Sequence, residues 1–130
     1  TAGGVNVAKD VQGQWTPVTM EQIAAWDPDV IILSNFDPIQ PADLFEDKLE
    51  GQNWKNIKAV REGRVYKAPI GLYRWDAPCV ETPLMIKWIA QKLHPDVFND
   101  YRLTDDLRGF YEKFFSYTLT DADLKMILHE

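Results

Sequence analysis

The chain has 130 residues, 45% of them hydrophobic and 26% charged, a composition that suits an ordinary globular domain with a single core. Fourteen Lys and Arg against twenty Asp and Glu leave a net charge of −6; without the basic stripe that displaces counterions from a phosphate backbone, nucleic acid is excluded as a partner. A lone Cys79 excludes an internal disulfide and a Cys-rich zinc site, and no apolar run reaches the roughly 18 residues of a membrane span.

The opening Thr1-Ala-Gly-Gly reads as the end of a helix whose body is expected upstream, together with any export signal. Val5 to Val7 is expected as a short strand, and Lys9 to Pro17 as loop. Thr19-Met-Glu-Gln22 is a capping box, predicting a helix from Met20 to Trp26 that Asp27-Pro28 stops. Asp29 to Ser34 is a continuous β-branched run, expected as a parallel strand buried on both faces. A polar loop, Asn35 to Pro41, follows at the end of that strand, where open α/β sheets bind ligands. Ala42 to Glu50 is then expected as helix with Gly51 as its cap, Trp54 to Arg61 contains another short helix, and Arg64 to Ala68 is a second strand.

The loop from Ile70 to Pro78 carries Tyr73, Arg74, Trp75 and Asp76 in a row. Leu84, Met85, Trp88, Ile89 and Leu93 recur at helical spacing and predict a helix over Thr82 to Leu93, ended by His94-Pro95. Thr104 is expected to cap a helix from Asp105 to Ser116 with an aromatic stripe of Phe110, Tyr111, Phe114 and Phe115. Thr120 caps a last short helix whose Leu124, Ile127 and Leu128 face a core. Strands alternating with helices point to an α/β fold: a three-layer α/β/α lobe with a small, mostly parallel sheet. Residues 1–130 are read as one domain, with 104–130 as a helical tail packed on it.

Among these residues Tyr73, Arg74 and Trp75 form the most suggestive cluster. A guanidinium pairs bidentately with anionic oxygens while flanking aromatics pack on a ligand face; the alternative is that both aromatics fill the edge of the core and Arg74 is solvated. Asn35 and Phe36 offer a hydrogen bond and a stacking face, or else a strand-ending turn with Phe36 folded inward. Glu21, in the first turn of its helix, reads from physics alone as a solvated residue favoured by the helix dipole. His94 and His129 have no second ligand at useful spacing, so a metal bound directly by this chain is not expected. No nucleophile–base pair, Gly-rich phosphate loop or His–carboxylate cluster is present, so no catalytic residue is assigned and an enzyme is not expected.

Four stretches in order, Ala2-Gly-Gly-Val-Asn-Val-Ala8, Val18-Thr-Met-Glu-Gln22 running into Pro28-Asp-Val-Ile-Ile-Leu33, Val60-Arg-Glu-Gly-Arg-Val-Tyr66, and Gly71-Leu-Tyr-Arg-Trp75 with its helix, resemble the C-terminal lobe of the periplasmic binding proteins that serve ferric siderophores, haem and cobalamin. The resemblance implies one lobe of a bilobal protein, with the N-terminal lobe expected before Thr1. It implies an extracytoplasmic location, periplasmic or lipid-anchored, and an ABC permease as partner, with Glu21 as the docking carboxylate. It also implies solute contacts at Tyr73, Arg74 and Trp75, and at Asn35 and Phe36. The implied ligand is a ferric siderophore or similar metal chelate, with haem and cobalamin as alternatives and no intrinsic cofactor. A noncatalytic interaction domain, using the acidic surface or the aromatic tail, is the rival from another class.

Overall fold

A computed structural model of the chain describes residues 1–13 and 15–130, which gather into two compact units: Val5–Lys67, and Ala68–Glu130 with Thr1–Gly4. The chain is mixed α/β, with a small two-stranded parallel sheet and a helical C-terminal segment.

In the unit Val5–Lys67, helix α1 spans Met20–Trp26 and begins with both halves of the capping box, Gln22 N–H to Thr19 Oγ1 at 3.2 Å and Thr19 N–H to Gln22 Oε1 at 3.0 Å. Asp27 ends it in the left-handed region, φ 37°. Strand β1, Ile31–Leu33, pairs in parallel with strand β2, Val65–Lys67, in the register Ile31–Val65, Ile32–Tyr66, Leu33–Lys67. Two short helices lie between them, α2 at Pro41–Phe45 and α3 at Lys58–Arg61. Leu44, Ile57, Ala59, Val60 and Val65 form the core, and Ile23, Ile31, Leu33, Ile39, Leu49 and Trp54 pack around it. Asp27 also links α1 to α3: its Oδ1 accepts from Lys58 N–H at 2.7 Å, while Pro28 C=O accepts from Ala59 N–H at 3.0 Å. The acid that stops one helix therefore satisfies a free donor at the start of another.

Several expectations for this unit need correction. Val5 to Val7 is not a strand; Val5 is 83% exposed, and Asn6 Oδ1 accepts from Ala8 N–H in a turn that competes with extended pairing. β1 is not buried on both faces, because Ile32 is 36% exposed while Ile31 and Leu33 meet the core. α2 starts one residue earlier than expected, on Pro41, and ends at Phe45. Its fixed φ suits Pro for the first turn, and Asp47, at φ 57°, turns the chain away. The short helix expected within Trp54 to Arg61 is present as α3, Lys58–Arg61.

In the other unit, helix α4 is Thr82–Leu93, as the periodicity requires, with Leu84, Met85 and Trp88 buried. Helix α5, Leu103–Phe115, begins after Arg102, so Thr104 sits inside the first turn and is not the cap. Helix α6, Asp121–Leu128, has a capping box of Thr120 and Asp123 and buries Leu124, Ile127 and Leu128. Arg108 ties α5 to α6 through Leu119 C=O and the Asp121 carboxylate, and Lys87 on α4 pairs with Asp106 on α5. The expected aromatic stripe of α5 divides. Leu107 and Tyr111 are buried, whereas Phe114 and Phe115 are 61% and 45% exposed. These two phenylalanines, with Val80, Pro83 and Phe110, line an open groove of about 850 Å³ along α4 and α5.

Candidate functional site

The six expected site residues are divided between the two units. Tyr73, Arg74 and Trp75 belong to the unit that carries α4 to α6; Glu21, Asn35 and Phe36 belong to the unit that carries the sheet. The parallel pairing of β1 and β2 makes the chain leave both strands at the same sheet edge.

The segment from Pro69 to Asp76 is a tight, braced loop. Pro69 carries no N–H, so it cannot extend the ladder of β2. Its carbonyl accepts from Trp75 N–H at 3.0 Å, Gly71 N–H donates to Tyr73 C=O at 3.0 Å, and Ile70 pairs with Arg74 in an isolated antiparallel bridge. The base of the loop is fastened to α6 by Ile70 N–H and Ile127 C=O at 3.0 Å. Trp75 is 2% exposed and serves the interior of its unit, while Tyr73 is 53% exposed. The Arg74 guanidinium lies 5.5 Å from the centre of the Tyr73 ring, and its Nε is 3.9 Å from Asp76 Oδ1. With its side chain only 20% exposed, Arg74 is a permanently charged group in a partly desolvated setting, where it attracts an anion more strongly than a solvated arginine does. Tyr73 beside it leaves half of its surface open to solvent.

A buried carboxylate stands behind the loop. Glu81 is fully buried; its Oε2 accepts from Tyr73 N–H at 3.2 Å and its Oε1 from Tyr111 O–H at 2.6 Å. Burial first, and then the bond to Glu81, push the Tyr111 phenol upward from its ordinary pKa, so Tyr111 stays a proton donor across the neutral range.

On the other unit, Phe36 is 59% exposed and packs edge-on against Trp15 at 5.0 Å between ring centres. It is not folded back onto the core. Asn35 is partly buried, and Phe36 N–H donates to Ser34 Oγ at 3.1 Å. Glu21 is exposed in the first turn of α1. Sequence reasoning missed Lys67. Only 6% exposed, it sends its Nζ from β2 to Asp37 C=O at 2.6 Å and Ile39 C=O at 2.8 Å, holding the loop after β1 from beneath. A charged residue at the end of a short strand is the one signal that could have marked it. Among the described residues, no group of three or more His, Cys, Asp and Glu side chains is placed to hold a metal ion, and no helix is long and apolar enough to cross a membrane.

A small parallel sheet whose two strands end at one edge, joined in sequence to a helical segment with a braced arginine loop, has the form of one lobe of a solute-binding protein. Residues 1–70 match the family model described as periplasmic binding protein. A periplasmic solute-binding protein from Veillonella parvula is 63% identical over 98% of this chain and 39% of its own, with a TM-score of 0.94. The molybdate-binding protein MolA of Haemophilus influenzae is 30% identical over 88% of this chain, and its molybdate-bound structure gives a TM-score of 0.69 over 92% of this chain and 36% of that one. Helicobacter pylori CeuE in a Ni-His complex is 25% identical over 85% of this chain and 33% of its own, with a TM-score of 0.61. The chain belongs to the periplasmic binding protein family. It spans about a third of the length of MolA, 32%.

Proposed function

We propose that the protein carrying this chain captures an anionic, metal-bearing solute outside the cytoplasm and delivers it to the permease of an ABC importer, without chemical change. The observation that carries this reading is Arg74: a guanidinium with a 20% exposed side chain, beside an exposed tyrosine, on a loop whose backbone is hydrogen-bonded at both ends. Such a group recognises negative oxygens and is held in place before the solute arrives, which reduces the ordering cost of binding. Tyr73 supplies the packing face. Trp75 supports the loop from within its unit, and Asn35 and Phe36 are proposed solute contacts on their own loop.

A ferric siderophore is the leading solute, since its anionic chelating oxygens suit Arg74 and its bulk suits an exposed tyrosine. A metal oxyanion is the second reading, favoured by the 30% identity to a molybdate-binding protein. A flat macrocycle such as haem or cobalamin gains less support, because the buried Trp75 offers it no stacking face.

Titration of the intact protein with ferric siderophores, molybdate, haemin and cobalamin, followed by tryptophan fluorescence and calorimetry, separates these readings. Saturable binding of one anionic class supports capture and identifies it; a folded protein that binds none of them sinks the proposal. Exposed Glu21 is the proposed docking carboxylate for basic groups of the permease. Its reversal, Glu21→Arg, should leave solute affinity unchanged and reduce solute-dependent stimulation of the transporter's ATPase at least tenfold. Equal stimulation by both proteins would remove Glu21 from that role.

A further inference from the structure

Glu81 is the residue before α4, a place where an acid ordinarily turns its carboxylate onto the free N–H groups of its own helix. Here no such bond forms. Both carboxylate oxygens point elsewhere, one to the Tyr73 N–H and one to the Tyr111 O–H. Three observations make this more than ordinary packing. Glu81 is fully buried, and a buried carboxylate is costly enough that an apolar side chain of similar volume serves stability as well or better. The two residues it joins lie far apart in sequence, on the loop and on α5, so the carboxylate sets the distance between them. Finally, Gly71 leaves no room for variation: a Cβ there would overlap Glu81 Oε1 and stand 2.5 Å from the Tyr111 hydroxyl. The loop backbone is drawn against the carboxylate as closely as a residue without a side chain permits.

We infer that Glu81, held by Tyr111, is a positioning residue that fixes the Gly71–Trp75 backbone and thereby sets where Arg74 and Tyr73 meet the solute. It acts through the Tyr73 amide, one residue before the guanidinium, and touches no solute itself. The consequence for binding rests on the capture reading given above; the consequence for the loop does not.

The test uses Tyr111→Phe, which removes one hydroxyl and keeps the ring, and Glu81→Gln, which keeps the shape and removes the charge. In the solute-free intact protein, both substitutions should speed amide hydrogen exchange at Tyr73 and its loop neighbours by about tenfold or more, with exchange in α4 and α6 unchanged. Tyr111→Phe should then weaken binding of whichever titrated solute the parent protein binds by about tenfold, through faster dissociation. Unchanged exchange at Tyr73 in both variants overturns the inference, as does acceleration spread evenly over α4, α5 and α6, which marks a merely structural role. Local acceleration with unaltered solute affinity overturns the link to binding. If the parent protein binds no solute of the panel, the capture reading fails by itself, and the exchange data still decide whether Glu81 positions the loop.

Discussion

Arg74→Ala is expected to weaken solute binding by about 100-fold or more while leaving the fold intact. A guanidinium paired with an oxyanion contributes charge-assisted hydrogen bonds that net roughly 1.5–3 kcal/mol each. Two such bonds lost amount to about 3 kcal/mol or more, and each 1.4 kcal/mol is about tenfold in affinity. Urea denaturation of the same variant reads its stability separately, so that affinity lost by a folded protein is assigned to the solute contact. Arg74→Lys separates charge from geometry. It keeps the positive charge and loses the planar fork, so it should retain part of the affinity, with a loss of about tenfold. Calorimetric titration of the three proteins checks the order. If Arg74→Ala binds as tightly as the parent, Arg74 is not the anion-recognising group and the capture site lies elsewhere.

Lys67→Met should destabilise the protein by about 2–4 kcal/mol. The methionine has nearly the same length and fills the same space, so packing is preserved while the donors at 2.6 and 2.8 Å from Asp37 and Ile39 disappear. Hydrogen bonds from a charged donor net roughly 1.5–3 kcal/mol each, and the two carbonyls lose their ammonium partner. Relief of the burial cost of the charge offsets part of that loss. The free energy comes from urea denaturation, with the midpoint falling and the slope unchanged. The loop that carries Asn35 and Phe36 should also lose its protection from amide exchange before the rest of the unit does. A midpoint equal to that of the parent would show that the loop after β1 is held by other contacts.

The sequence made some of this readable and hid the rest for identifiable reasons. α1 and α4 were legible residue by residue because their signals are local: Thr19 and Gln22 are three positions apart, and the buried positions of α4 repeat every three to four residues. The parallel character of the sheet was legible from the β-branched run at Ile31 and from the helices that intervene before Val65. Val5 to Val7 misled because strand propensity describes a residue's fit to a sheet it still has to find. Thr104 misled because a threonine looks the same at the cap and two positions past it; the cap is Arg102, and α5 starts at Leu103, which is buried. The site was legible at its tip and not at its base. Tyr73 and Arg74 stand side by side in the chain, whereas the groups that brace the two loops act over about 30 residues, Lys67 on Asp37 and Ile39, and Tyr111 on Glu81. No spacing rule reaches that far, and an isolated lysine or glutamate in a sequence gives no sign that it will be buried.

Capture of an anionic metal-bearing solute on the Arg74 loop should order that loop. Amide hydrogen exchange of the intact protein, free and saturated with the solute that binds, reads this residue by residue. Slowed exchange is expected across Gly71 to Asp76, with the α4–α5 groove lined by Phe110 and Phe114 unaffected. Protection confined to that groove, with the Arg74 loop exchanging as fast as in the free protein, would contradict it.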